Sequence, residues 1–118
     1  MKLLTQEQRG KMLENGRKQQ EAEERGTSID FEPVVKLFTP DAGAMWLLTE
    51  LHPDDPDIAF GLCDLGLGFP ELGSVSLSEI EEVRGHLGLP VERDLSFKAT
   101  KTLSQYAEEA HRARRITA

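Results

Sequence analysis

Carboxylates are the residues of this chain best able to do chemistry, and they crowd its centre. His52, Asp54, Asp55 and Asp57 form the densest group of potential metal ligands, in the segment HPDDPD. Loops this rich in oxygen can hold calcium or magnesium. The spacing matches no EF-hand, and no glycine stands at the bend such a loop needs. A solvated turn with aspartates bonding nearby backbone N–H groups accounts for the segment more simply. Glu50 and Asp64 suggest a different chemistry, paired carboxylates for acid–base work. A hairpin that sets Leu51 opposite Ile58 puts Glu50 opposite Ala59 and Asp64 opposite Met45. The two acids then lie about 17 Å apart at roughly 3.3 Å per residue, too far for shared catalysis. Asp64 stands inside an apolar run, and an acid on a buried face must find a donor.

The glycines of Gly66-Leu67-Gly68-Phe69-Pro70 invite a phosphate-loop interpretation. No Lys-Ser/Thr pair comes after them, so there is no Walker loop. A dinucleotide fingerprint needs a helix directly after its glycines. Here Pro70, Glu71, Leu72 and Gly73 intervene, so a bent strand, a bulge and a turn explain the glycines. Cys63 is the one cysteine. It has neither a disulfide partner nor a zinc set, and it sits among apolar neighbours as a small buried residue. His86 and His111 fall on separate helices with no ligand spacing between them. Ser74, Ser76 and Ser78 lack a nucleophile elbow. Trp46, Phe60, Phe69 and Phe97 alternate with apolar residues and are expected in the core.

These side chains need elements to position them. With 118 residues the chain suits one compact domain. Thr5 and Gln8 form a capping box for a helix from about Gln6 to Asn15 or further. Residues 17–28 continue it as a solvated helical extension or a mobile loop. A meander of strands is expected at 34–39, 45–51 and 58–65, with a short strand near Val75-Ser76-Leu77. Ala, Met and Leu would also suit a helix over 44–51, but proline-rich turns bracket a run of strand length. The segment 58–77 carries only two charges, Asp64 and Glu71, and should be buried on at least one side. Ser78 with Glu81 reads as a capping box for a helix over 79–87, with Ile80, Val83 and Leu87 in one stripe. Gly88 and Pro90 would end it. Leu95–Lys98 alternates like a half-exposed strand. A last helix over about 103–112 presents Leu103, Tyr106, Ala107 and Ala110 on one face, with a basic tail over 111–118.

Net charge is -7, and it is uneven. Lys2, Arg9, Lys11, Arg17 and Lys18 outnumber Glu7 and Glu14 at one end. Arg112, Arg114 and Arg115 make the other end basic. The middle is therefore more acidic than the total and repels a nucleic-acid backbone, leaving only the basic ends for such contact. The apolar runs are far shorter than the ~20 residues of a membrane helix. MKLLTQEQRGK has too short an apolar core for a signal peptide. A cytoplasmic protein without a membrane is expected.

The phrases VVKLF, WLLTEL, GLCDLG and PELGSVSL, with the opening MKLLTQEQRGKMLENG, resemble the DUF2958 family along nearly the whole chain. The resemblance implies a bacterial protein of uncharacterised function, often encoded on plasmids and other mobile elements near conjugation and anti-restriction genes. It supplies no catalytic residues.

The sequence thus points to one α+β domain, a mainly antiparallel sheet of four to five strands with about three helices packed on it. No catalytic residue, cofactor or metal site is expected. The expected role is a non-enzymatic accessory or interaction protein of a bacterial mobile element, binding another protein. Its acidic working surface would comprise Asp54, Asp55, Asp57, Asp64, Glu71, Glu79, Glu81 and Glu82. Two alternatives stand beside it. One is a DNA-mimic inhibitor of a host defence enzyme. The other is a metal-dependent nucleic-acid enzyme, which needs two or three of Asp54, Asp55, Asp57 and Asp64 to converge.

Overall fold

The structure is a computed structural model that describes residues 2–118. Its elements run α1 (Gln6–Glu24), β1 (Val35–Phe38), β2 (Met45–His52), β3 (Asp55–Asp64), β4 (Glu71–Ser76), α2 (Leu77–Glu82), β5 (Glu92–Arg93) and α3 (Leu103–Ala113). The five strands form one sheet in the order β4-β3-β2-β1-β5, and every pairing is antiparallel. This is the expected α+β arrangement.

Alternation along β2 sends side chains to two cores. Trp46 and Leu48 pack with Met12 of α1 and with Leu77 and Ile80 of α2. Leu47 packs with Leu62, Leu103, Tyr106, Ala107 and Ala110 beneath α3. The sheet is thus a middle layer, with α1 and α2 on one face and α3 on the other. The contact face of α3 is the one its periodicity predicts. The cap of α1 is also as expected, with Thr5 and Gln8 bonding reciprocally. That helix runs unbroken through Glu24, so the extension beyond Asn15 is helical.

A bulge at Thr49 corrects the register of the β2–β3 hairpin. Pairing is as expected from Met45↔Asp64 to Leu48↔Gly61, but Glu50 then pairs with Phe60 and Leu51 with Ala59. Thr49 is the extra residue. Its hydroxyl bonds to the Glu50 carboxylate and the Phe60 carbonyl, and its own carbonyl accepts the Asn15 amide at 2.9 Å. A bulge reverses the facing of the residues beyond it. Leu51 therefore joins Trp46 and Leu48 under α1, and Glu50 turns with Phe60 to the α3 side. The α1 backbone lies close enough here that a Cβ on Gly16 would collide with the Leu51 carbonyl oxygen. A Cβ on Gly61 would likewise meet the Leu47 carbonyl oxygen.

Several boundaries differ from expectation. The 52–57 turn is tighter than predicted, because β3 begins at Asp55. The fourth predicted strand starts earlier, at Glu71. The α2 cap is Ser76, whose hydroxyl accepts the Glu79 N–H at 3.3 Å, and the helix ends at Glu82. Val83 and Leu87 therefore share no helical stripe, and Leu87 is 79% exposed. The physical reason is Asp41. Its carboxylate accepts the N–H groups of Leu87 at 2.6 Å and Leu89 at 3.2 Å, holding 83–90 as a folded-back turn. Gly85 donates to the Leu89 carbonyl, and Arg84 bridges to Pro90. Gly88 does adopt the left-handed conformation (φ 76°), within this turn rather than at a helix end. The strand expected at Leu95–Lys98 is a turn in which Phe97 N–H donates to Asp94, and the pairing with β1 falls earlier, at Glu92–Arg93.

Candidate interaction surface

The structure divides the eight acids proposed as one surface. Asp64 is inside, only 3% exposed. One of its oxygens accepts the Gly66 N–H at 2.8 Å and the other the Ile116 N–H at 2.9 Å. It ties the end of β3 to the chain after α3 and takes no part in a surface. The expected basic tail is correspondingly anchored. Ile116 is buried under α3, and the Lys36 ammonium bonds the backbone oxygen of Ala118 at 2.6 Å. Glu71 is exposed, but it opposes Cys63 at the far end of β4 from Ser76.

Six acids remain near the β2–β3 turn and α2. Asp57 joins the two elements. Its carboxylate accepts the Ser76 hydroxyl at 2.7 Å, the Ser78 hydroxyl at 3.0 Å and the Ser78 N–H at 2.9 Å. These bonds, the Ser76 hydroxyl first, hold the Asp57 carboxyl below its ordinary range against a small cost of burial. Asp55, Asp57 and Glu81 then surround a shallow cleft that also contains Arg9 and Ser78. Glu79 and Glu82 are exposed on α2 beside it. Asp54 turns the other way, toward the Gln20 amide of α1. Asp54, Asp55, Asp57 and Asp64 do not converge. Among the described residues no three or more His, Cys, Asp or Glu side chains are gathered so as to hold a metal ion.

Sequence reasoning missed a second feature. A groove of about 540 Å³ lies between the second half of α1, residues 28–30, the β2–β3 hairpin and Ser104 at the start of α3. Phe60, 37% exposed, forms part of its wall instead of the core. Glu50 stands half-buried beside it. Burial is the main cause that raises its carboxyl above the ordinary range; the Thr49 and Gln19 hydrogen bonds oppose this, and the Glu23 charge adds to it. Asp30, also in the wall, accepts the N–H and hydroxyl of Ser104 at the start of α3. An acid inside the apolar run AMWLLTEL was the available signal, but its facing depends on the bulge.

The loop between β3 and β4 also departs from expectation. Leu65, Leu67 and Phe69 are exposed, Phe69 at 75%, as is Leu72 in β4, although the segment was expected to be buried on at least one side. Trp46 is buried as expected, and Phe97 packs against Tyr106 with ring centroids 6.3 Å apart. Cys63 is partly buried, which pushes its thiol up, away from reactivity. The ring Nε2 of His111 bonds the Pro70 carbonyl at 2.9 Å.

Among the described residues no helix is long and apolar enough to cross a membrane. A family model described as a protein of unknown function (DUF2958) matches residues 3–117 of the chain. No curated protein and no solved structure matches.

Proposed function

The chain belongs to the DUF2958 family, and on that premise we propose that it is a non-enzymatic interaction protein, an accessory factor of a bacterial mobile element that works in the cytoplasm. Its partner is another protein, met through the acidic edge made by the β2–β3 turn and α2. The observation that carries this reading is the Asp57 junction. Three bonds from Ser76 and Ser78 fix the turn against α2, so Asp55, Asp57 and Glu81 line one cleft. Ordered carboxylates on a rigid support suit a basic patch on a folded partner. They steer its approach and set its orientation more than they raise its affinity. A setting in the cytoplasm suits a chain with one cysteine and no disulfide.

Affinity capture from a bacterial extract tests this with two baits, the native chain and a Glu79→Lys, Glu81→Lys, Glu82→Lys variant. A partner held at about 50 mM salt should weaken by about 300 mM, as the Debye length shortens. The variant should fail to hold it while keeping its circular dichroism. A partner retained equally by both baits would place the working surface elsewhere. If the partner itself binds DNA and DNA competes with the chain for it, the edge acts as a mimic of phosphates.

A further inference from the structure

The groove between α1, residues 28–30, the β2–β3 hairpin and the start of α3 is built differently from the acidic edge. Its volume of about 540 Å³ falls within the roughly 300–1,000 Å³ of ordinary ligand pockets. Ile29, Ile58 and Phe60 give it apolar walls, Glu23, Asp30 and Glu50 line it as well, and among the described residues no Lys or Arg does. We propose that this groove binds an organic cation, an ammonium or guanidinium carried on an apolar stem.

Each part of the cation has a counterpart. The Phe60 ring offers a face for the stem and for cation–π attraction. Glu50 offers the charge partner. Its carboxylate accepts the Thr49 hydroxyl at 3.0 Å and a bond from the Gln19 side chain, and it lines the groove half-buried. Asp30 is already engaged by Ser104, so its part is smaller. Glu23 on α1 raises the negative potential without a bond to Glu50. The Gln19 amide is fixed by two bonds to Ile29, at 2.8 and 2.9 Å, so the wall nearest Glu50 is rigid. A half-buried carboxyl whose ionisation is opposed by burial gains most from an arriving cation. The same chemistry is offered by a free amine and by a Lys or Arg side chain of a partner protein. Asp55, Asp57 and Glu81 do not line this groove, so the site stands or falls apart from the acidic edge.

Amide NMR titration of the full chain tests the proposal. The probes are N-acetyl-arginine methylamide, its uncharged citrulline counterpart, and a short peptide with one central arginine. The charged probe should shift the amides of Gln19, Glu50, Phe60 and Ser74 and saturate in the range of about 1–10 mM, as expected for one charged contact plus a stacked stem. The citrulline probe should bind at least about tenfold more weakly. Glu50→Gln keeps an acceptor for Thr49 and should lose about tenfold in affinity while retaining the native spectrum. Glu23→Gln, on an exposed helix face, should lose severalfold. Peptide tighter than free arginine derivative identifies a partner's side chain as the source, and equal affinity identifies a small amine. Absence of localised shifts, equal binding of citrulline, or unchanged binding by both variants would overturn the proposal.

Discussion

At the scale of single residues, three acids do three different things, and their surroundings decide which. Asp64 serves as a structural clamp. Removing its carboxylate leaves two N–H groups, those of Gly66 and Ile116, without acceptors. Asp64→Ala should therefore lower stability by about 2–4 kcal/mol in urea unfolding, and a loss below about 0.5 kcal/mol would refute the clamp. Glu50 works in the opposite sense. Burial raises its carboxyl in the folded state, so the folded protein holds that proton to higher pH than the unfolded chain does. Stability must then fall as pH rises from the ordinary glutamate range through the folded value. Glu50→Gln removes this slope, so the variant should gain on the native protein as pH rises above the ordinary glutamate range. Equal melting-temperature profiles for the two proteins would contradict it. Asp41 fixes a loop. Asp41→Ala should strip hydrogen-exchange protection from the Leu87 and Leu89 amides and leave the β2–β3 amides protected. The aspartate in the Pro40-Asp41 turn gave no sign of this, because its partners lie 46 and 48 residues away.

At the scale of elements, the fit of α1 against β2 turns on a glycine that helix propensity alone marks as a weakness. Gly10 and Gly16 sit in the same helix. A Cβ at Gly10 meets nothing within 4 Å, but one at Gly16 would strike the Leu51 carbonyl. Gly10→Ala should therefore stabilise the protein by up to about 1 kcal/mol, as relief of glycine's backbone entropy predicts. Gly16→Ala should destabilise it, because backbone on both sides would have to move. Thermal melts of the pair check this, and a rise in both would show that α1 can shift freely on the sheet. Local signals located α1 and α3 well: the cap of α1 uses only Thr5 and Gln8, and α3 shows one apolar face, although its first N–H groups go to the distant Phe31 carbonyl and Asp30 carboxylate. The same signals misplaced α2. Ser76 and Ser78 are both plausible caps, and the choice fell to Ser76 where β4 ends against Asp57. The apolar stripe of Ile80, Val83 and Leu87 was a coincidence of spacing, undone by the distant Asp41.

At the scale of the whole molecule, the chain after α3 completes the second core. Ile116 is buried with Leu47, Leu62 and Ala110, and its N–H reaches Asp64. Ile116→Ala should cost about 2–4 kcal/mol by cavity formation, measured by chemical denaturation, and a smaller loss than about 1 kcal/mol would mean that the segment is only loosely docked. Composition pointed to a basic tail here, and the arginines are exposed, but one isoleucine among them belongs to the core. By itself the sequence determined the α+β class, the antiparallel order of its hairpins, the cap of α1, the buried face of α3, and the excess of negative charge in the middle. Each of these rests on neighbours in the chain, through caps, periodicity and connections too short for a crossover. Tertiary structure alone decided which acids are surface and which are clamps. It also decided that Glu50 and Phe60 share the open face of the sheet. Both depend on contacts between residues far apart in sequence, and the second on one extra residue, Thr49, that reverses the facing of the strand after it.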